Sequence, residues 1–136
     1  MSIRIASDPA RLDVDAIHAF LTRSYWAQGV SRERVARSLE HSLCFGLYDG
    51  ERQIGFARVI SDRVTFGYLC DVYVLEPYRG RALGKRLLEA VRAHPDLQGL
   101  RRLLLETRDA HGLYEQFGFE RIADGRDFMQ IKGDTP

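Results

Sequence analysis

The spacing of hydrophobic positions changes several times along the chain, and each change marks a new element. In "SIRIAS", Ile3 and Ile5 alternate with polar residues, a pattern typical of a short strand. Ile17, Leu21 and Tyr25 then recur at steps of four residues, which predicts an amphipathic helix. The chain is therefore expected to begin with a strand and a helix.

A second helix and three long strands are predicted next. Ser31 can cap a helix that has Val35 and Leu39 on one face. Three apolar runs follow, "SLCFGLYD", "RQIGFARVISD" and "VTFGYLCDVYVLE". Asp49 and Gly50 lie between the first two, and this dipeptide is a strong signal for a hairpin turn. The three runs therefore predict an antiparallel meander.

The second half of the pattern predicts a crossover connection. Pro77 ends the third run, a helix pattern starts at Gly80, and Pro95 ends that helix. "LRRLLLET" predicts a strand parallel to the third run, "HGLYEQF" a short helix, and "FERI" and "DFMQIK" two final strands. The expected fold class is α/β, a mixed and mostly antiparallel sheet flanked by helices. Its order is β-α-α-β-β-β-α-β-α-β-β, and residues 1–136 form a single domain.

Composition narrows the class of protein. The length of 136 residues is close to the commonest domain size, and a net charge of +1 does not favour binding to nucleic acid or to an anionic membrane. No run approaches the roughly 18 apolar residues that span a bilayer, and the N-terminus lacks the apolar core of a signal peptide. Cys44 and Cys70 lie in strand-like runs, where buried, reduced thiols are the usual case. We therefore expect a cytoplasmic protein without a nucleic-acid or membrane partner.

The joint between the third long strand and its following helix, "PYRGRALGKRLLEAV" (77–91), concentrates glycine and positive charge. It is not a P-loop, because Gly80 and Gly84-Lys85 are one residue too close and Arg86 stands where a magnesium-binding hydroxyl is required. It also lacks the glycine triplet of a dinucleotide-binding fold. Small residues at 80, 82 and 84 would instead let backbone N–H groups surround a pyrophosphate, helped by a helix dipole of roughly +0.5 charge.

The joint resembles the signature of the GNAT family of N-acetyltransferases, Gln/Arg-x-x-Gly-x-Gly/Ala, which binds the pyrophosphate of acetyl-CoA. Here the signature is R-G-R-A-L-G (79–84), and "LYEQFGF" resembles a second motif of the family. The resemblance implies a GNAT-like acyl-CoA N-acyltransferase fold, acetyl-CoA as the acyl donor and no metal. The cofactor contacts that it implies are Val72, Tyr73, Val74, Arg79, Gly80, Arg81, Ala82, Leu83, Gly84 and Lys85.

One position departs from the signature. Ala82 stands where the family has its first motif glycine, and its methyl group is expected to hold the backbone slightly away from the pyrophosphate. We expect weaker cofactor binding and not the loss of the site.

The resemblance also implies roles in acyl transfer. The N–H of Val74 would donate to the thioester carbonyl, and Tyr114 would be the acid that protonates the leaving thiolate. Asp71 is the candidate base, since an acid in the apolar run "YLCDVYVL" needs either a function or a structural partner. Tyr25 and Trp26, in the link between the first two helices, are candidates for a wall of the acceptor site. Core packing is the alternative for both aromatic residues.

The sequence therefore predicts an acetyl-CoA-dependent N-acetyltransferase that acts on a primary amine of a small molecule or peptide by direct attack in a ternary complex. Transfer of a different acyl group, an oxygen acceptor and a non-catalytic acyl-CoA-binding or regulatory module remain alternatives. The two terminal strands are expected to leave an edge free for pairing between the subunits of a homodimer.

Overall fold

The computed structural model gives the backbone of residues 1–136 and describes every side chain except that of residue 126. The strands are β1 (Ile3–Ala6), β2 (Leu43–Asp49), β3 (Arg52–Ser61), β4 (Phe66–Val74) and β5 (Arg102–Leu105). The α-helices are α1 (Val14–Leu21), α2 (Arg32–Glu40), α3 (Leu83–Ala93) and α4 (His111–Glu115). Short 3₁₀ turns occupy Pro9–Arg11, Glu76–Tyr78, Pro95–Leu97 and Gly125–Asp127.

The strands form one sheet in the order β1-β2-β3-β4-β5. The first three pairs are antiparallel and the β4–β5 pair is parallel, as the crossover through α3 predicted. The predicted N-cap is also confirmed, because the Ser31 side chain accepts a hydrogen bond from the Arg34 N–H at the start of α2.

The alternation of side chains along the strands creates a core on each face of the sheet. On one face, Leu43, Phe45 and Leu47 of β2 belong to the same buried cluster as Leu87 and Leu88 of α3. On the other face, the buried cluster joins residues of the sheet to α1 and α2; its members are Ile17, Leu21, Val30, Val35, Leu39, Cys44, Phe56 and Tyr73. Helices therefore cover both faces. None of the helices that the structure describes is long and apolar enough to cross a membrane.

The parallel pair is short, and this shapes the rest of the molecule. β4 pairs with β5 only from Phe66 to Leu69, opposite Arg102–Leu105. β4 then continues to Val74 with β3 as its only paired neighbour. The edge of β4 beyond Leu69 is therefore left open on the side where β5 has ended.

The predicted element order holds from β1 to α4, but the two last strands do not form. "FERI" and "DFMQIK" lie in a segment, 119–136, whose regular structure is one 3₁₀ turn, Gly125–Asp127. A strand needs a neighbouring ladder and a surface that covers its apolar face. In this chain Met129 and Ile131 are 97% and 102% exposed, so no surface covers the apolar face of this segment.

Candidate active site

The open edge of β4 borders a cleft of about 440 Å³. Cys70, Asp71 and Val72 of β4 form one wall, and residues 106–110, which follow β5, form the opposite wall. Tyr25 and Trp26 of the α1–α2 link and Tyr114 of α4 complete the lining. The structure thus brings Asp71, Tyr114, Tyr25 and Trp26, four residues singled out in the sequence, into one cavity.

Asp71 is held by two side chains at the inner end of this cleft. Its Oδ2 accepts a hydrogen bond from Arg58 Nε at 2.9 Å, and its Oδ1 accepts one from Trp26 Nε1 at 2.8 Å. The Arg58 and Asp71 side chains are only 16% and 10% exposed, so this is a largely buried ion pair. Arg58 also donates to the Ser42 hydroxyl at 3.0 Å. The carboxylate is therefore a structural centre that joins β3, β4 and the α1–α2 link.

A β-bulge directs Asp71 toward these partners. The register between β3 and β4 passes from Phe56 opposite Tyr73 to Arg58 opposite Cys70, which leaves one extra residue on β4. Asp71 adopts the left-handed conformation there, with φ of 55°. Aspartate tolerates this conformation better than most residues with a Cβ. Bulges commonly redirect a side chain beside a functional site, and this one points Asp71 at Arg58 and Trp26.

The α1–α2 link is tied to both walls of the cleft. Trp26 bonds to Asp71 on the β4 wall, and the guanidinium of Arg108 lies 3.8 Å from the ring centroid of Tyr25 on the opposite wall. The rings of Tyr25 and Trp26 meet edge to face, with their centroids 5.1 Å apart. A cation over an aromatic face is attracted by the ring electrons, so Arg108 helps to hold this wall in place.

Tyr114 lies where the cleft reaches α4. Its ring packs edge to face against Phe119, with centroids 5.8 Å apart. Burial, followed by the charges of Tyr25 and Asp109, raises the pKa of Tyr114 above its usual value. The phenol therefore remains protonated throughout the neutral range and can donate a hydrogen bond into the cleft.

Sequence reasoning missed four charged residues of this site: Arg58, Glu106, Arg108 and Asp109. A usable signal existed for Arg58, because a lone cation in the apolar run "GFARVIS" requires an anion on a neighbouring strand. Glu106 directly follows β5 and is exposed in the cleft; its charge contributes, after burial, to the raised pKa of Tyr68. Nothing in the sequence pairs Arg108 with Tyr25, since that contact depends on how the loops approach each other.

The start of α3 is a second candidate binding site, because its first backbone N–H groups have no hydrogen-bond partner within the helix. The first helical hydrogen bond runs from the Arg86 N–H to the Ala82 carbonyl at 3.2 Å, so the N–H groups of Leu83, Gly84 and Lys85 precede it. A Cβ built on Gly80 or Gly84 would meet no atom within 4 Å. The helix therefore starts in open space with free donors, which suits an anion.

Ala82 occupies a backbone conformation that glycine would adopt without strain. It is the N-cap of α3 and has φ of 59°, in the left-handed region, without a side-chain cap. That conformation costs a residue with a Cβ about 1–2 kcal/mol. A glycine at this motif position would therefore avoid backbone strain, in addition to allowing the close approach of the backbone to pyrophosphate that the sequence suggested.

Three of the predicted cofactor contacts, Arg79, Arg81 and Tyr73, lie in different positions around the cleft and the start of α3. Arg79 Nε donates to the Val74 carbonyl at 2.9 Å, so its guanidinium returns to the end of β4. The guanidinium of Arg81 lies 5.6 Å from the centroid of the Tyr78 ring. Tyr73 turns its ring into the core, stacked on Phe20 with the ring centroids 3.9 Å apart, so its side chain does not face the open edge.

The cleft cysteine is a poor nucleophile. Burial raises the pKa of Cys70 to about 12, against partial compensation from the charge of Arg58. A thiol with that pKa is almost wholly protonated at neutral pH. Among the described residues, no group of three or more His, Cys, Asp or Glu side chains is placed to hold a metal ion.

Comparison with known proteins agrees with this arrangement. The profile described as the acetyltransferase (GNAT) family matches residues 11–119. The chain belongs to this family. A curated relative from Gibberella zeae, a proposed acetyltransferase, is 35% identical and aligns over 95% of this chain and 84% of its own length.

Two crystal structures place the GNAT fold over nearly the whole chain. A proposed GNAT acetyltransferase from Xanthomonas campestris is 46% identical and has a TM-score of 0.94, covering 98% of this chain and 94% of its own. A protein from methicillin-resistant Staphylococcus aureus, also a proposed acetyltransferase, is 26% identical and has a TM-score of 0.77, covering 96% of this chain and 99% of its own. The GNAT-like fold class expected from the motifs is confirmed.

The buried ion pair yields a stability prediction. Asp71→Asn keeps a residue that tolerates positive φ but leaves the charge of Arg58 unpaired, so we expect the free energy of unfolding to fall by up to about 3–5 kcal/mol. Adding Arg58→Met should recover much of this loss, because the double variant contains no unpaired buried charge. Chemical denaturation of the four proteins in this cycle measures both effects.

The exposed pair between Arg63 and Asp96 provides the matched control. Its atoms lie 2.6 Å apart and its side chains are 46% and 44% exposed. Asp96→Asn is therefore expected to cost no more than about 1 kcal/mol. Equal costs for Asp71→Asn and Asp96→Asn would show that the buried pair does not stabilise the bulge.

Proposed function

We propose that the protein is an acetyl-CoA-dependent N-acetyltransferase that acetylates a primary amine of a small molecule or peptide by direct attack in a ternary complex. The observation that carries the proposal is the continuity of three parts: the open start of α3, the unpaired edge of β4 and the cleft that contains Tyr114. These parts match what the anionic end, the amide-bearing arm and the reactive end of an acyl-CoA require. Membership of the GNAT family supports the acetyl group as the one transferred.

The start of α3 is proposed to hold the pyrophosphate. The free N–H groups of Leu83, Gly84 and Lys85 can donate to phosphate oxygens, and the partial positive charge of the helix N-terminus adds attraction. The side chains of Arg81 and Lys85 are exposed and can neutralise further phosphate charge. Arg79 would support the loop through its hydrogen bond to the Val74 carbonyl.

The main chain of Val72, Tyr73 and Val74 is proposed to bind the extended arm as an additional strand would be bound. This edge has no neighbouring strand beyond Leu69, so its outward-facing N–H groups are free for a ligand, whereas the Val74 carbonyl already accepts from Arg79. Acetyl-CoA would supply an activated thioester at the inner end of the cleft. The N–H of Val74 is the proposed donor to the carbonyl oxygen on which negative charge develops.

Tyr114 is proposed to donate its phenolic proton toward the leaving sulfur. Its raised pKa keeps the donor protonated, and its place in the cleft lining puts it on the side opposite the β4 wall. The protonated thiol of Cys70 argues against an acetylated cysteine on the pathway, since a thiolate is the form that attacks. This supports direct transfer to the amine.

Three carboxylates of the cleft could accept the proton of the attacking amine: Asp71, Glu106 and Asp109. Asp71, the base that the sequence suggested, has both oxygens engaged by Arg58 and Trp26. Glu106 and Asp109 are exposed in the same cleft, and none of the described salt bridges includes either of them. The charge of Asp109 helps to raise the pKa of Tyr114, so Asp109 acts on the proposed acid. We therefore favour Glu106 as the proton acceptor, directly or through a water molecule, while Asp71 holds the bulge and the acceptor wall.

Isothermal titration with acetyl-CoA, and separately with CoA, tests the binding site. Wild-type protein is expected to bind both, and Gly84→Asp is expected to weaken binding by at least about 100-fold, because it adds negative charge at a phosphate site. The fold should tolerate the change, since a Cβ at Gly84 meets nothing within 4 Å. Gly133→Asp is the control, at another glycine with open space around it. Absence of binding to either ligand would remove the acyl-CoA assignment.

Tyr114→Phe tests catalysis against a binding-only role. We expect kcat to fall by about 10²–10⁴-fold, as for loss of a general acid, with acetyl-CoA affinity unchanged. Because the phenol pKa is raised above about 10, the wild-type rate should show no loss from this group between about pH 7 and pH 9. Tyr48→Phe is the control, since its hydroxyl bonds the Arg11 carbonyl outside the cleft. A wild-type protein that binds acetyl-CoA but acetylates no member of an amine panel would favour the binding module.

Glu106→Gln tests the choice of proton acceptor. The substitution is expected to lower kcat/KM by about 10²–10⁴-fold with the affinity for acetyl-CoA unchanged, as for loss of a general base. Asp71→Asn, measured under conditions where it is folded, should lower kcat/KM far less. The opposite result, with the large loss seen only in Asp71→Asn, would return the role of base to Asp71.

A further inference from the structure

The cleft contains a carboxylate that the proposed proton transfers do not use. Asp109 lines the cleft and is exposed, and its charge reaches Tyr114. None of the described salt bridges includes Asp109, and α4 begins at Ala110 without a side-chain cap. The carboxylate is therefore available to a molecule that enters the cleft.

The cleft keeps a negative charge after its own ion pair is counted. Its charged lining residues are Asp71, Glu106, Arg108 and Asp109. Asp71 is compensated by Arg58, and the single cation of Arg108 can compensate only one of the two remaining carboxylates. A cleft with charge of one sign attracts ligands of the other sign. The lining therefore favours an acceptor with a positive charge over one with a negative charge.

The aromatic wall of the cleft is also suited to a cation. Tyr25 and Trp26 are 54% and 41% exposed, so much of their ring surface is not used in the core. The guanidinium of Arg108 already lies 3.8 Å from the ring centroid of Tyr25, so one ring of this wall binds a cation within the chain itself. Tryptophan attracts cations more strongly than other aromatic residues do. The exposed surface of Trp26 therefore offers the same attraction to a ligand.

The size of the cleft and the spacing of its carboxylates limit the acceptor. Glu106 and Asp109 are three residues apart, so their Cα atoms are separated by no more than about 11 Å. The cleft of about 440 Å³ lies near the lower end of the range for small-molecule sites, and it must also admit the reactive end of acyl-CoA. This space suits a short acceptor whose two basic groups are a few carbon atoms apart.

We propose that the acceptor is a short aliphatic diamine, an inference that rests on the N-acetyltransferase function proposed above. One amine, in its neutral form, attacks the thioester carbonyl, so that a C–N bond forms and the C–S bond breaks. Glu106 takes a proton from this amine, and Tyr114 gives one to the leaving sulfur. The second amine stays protonated and is held by Asp109 and the aromatic wall. A carboxylate in its place would meet an uncompensated like charge.

Initial rates with acetyl-CoA and three matched acceptors test this assignment. Putrescine, n-butylamine and γ-aminobutyrate share a four-carbon chain and differ at the far end, which carries an ammonium, a methyl or a carboxylate group. After division by two for its equivalent amines, putrescine is expected to exceed n-butylamine in kcat/KM by about 10–100-fold, with γ-aminobutyrate the poorest. Equal values for the three, or a higher value for phenethylamine than for putrescine, would overturn the diamine proposal and leave the acetyltransferase function standing.

Asp109→Asn tests the residue that reads the second charge. The ratio of kcat/KM for putrescine to that for n-butylamine should fall to within about threefold of one, because the charge that attracts the second ammonium is gone. Using the ratio cancels any effect of Asp109 on Tyr114, since both acceptors need the same acid. Asp96→Asn, which removes an exposed carboxylate outside the cleft lining, is the matched control and should keep the wild-type ratio. An unchanged ratio in Asp109→Asn would contradict the proposal.

Titration of the wild-type protein, saturated with CoA, separates recognition of the acceptor from catalysis. Putrescine is expected to bind about 10-fold more tightly than n-butylamine at low salt, and this advantage should shrink at high salt because ions screen exposed charges. No advantage at low salt would overturn the diamine proposal. Tighter binding of putrescine without acetylation of any amine would uphold recognition of the diamine and contradict the acetyltransferase function instead.

Discussion

The largely buried pair between Asp71 and Arg58 is the interaction on which the candidate site depends. It fixes a bulge in β4, and through Trp26 it fixes the link that covers the cleft. A buried pair of this kind contributes little net stability compared with an apolar pair of the same shape, but it is costly to break. The main effect of the pair in this fold is therefore to position other groups. It holds the bulge at which the regular pairing of β4 with β3 is interrupted, and through Trp26 it holds the aromatic wall beside the open edge of β4.

Three stretches of unsatisfied backbone organise the rest of the molecule. They are the start of α3, the edge of β4 beyond Leu69 and the outer edge of β5. Backbone N–H and C=O groups are strong hydrogen-bonding groups, and a folded chain rarely leaves so many of them near apolar surface without a partner. We propose a pyrophosphate as the ligand of the first stretch and an extended acyl-CoA arm as the ligand of the second.

Two of the three described non-glycine residues with positive φ lie at the candidate site. Asp71 is at the bulge and Ala82 at the start of α3, whereas the third, Arg63, lies in the turn between β3 and β4. Aspartate accepts this conformation with a hydrogen-bonding side chain, whereas alanine has only a methyl group and bears the cost without compensation. The alanine at position 82 therefore costs conformational energy at the start of α3, where we propose that the pyrophosphate binds.

The sequence by itself determined the class of fold and the positions of most elements, because alternation, helical period and turn residues act locally along the chain. It also predicted Tyr114 and the 79–84 loop from motif spacing and Asp71 from a lone acid in an apolar run, and the structure brings Tyr114 and Asp71 into one cleft; the catalytic and cofactor-binding roles stay predictions. Only the tertiary structure decided that Asp71 pairs with Arg58 and that Arg108 meets Tyr25, because these contacts join segments far apart in sequence. The same reason explains the two missing final strands: apolar alternation shows that a segment can form a strand, but a ladder also requires backbone pairing with a neighbouring strand, and residues 119–136 form no strand.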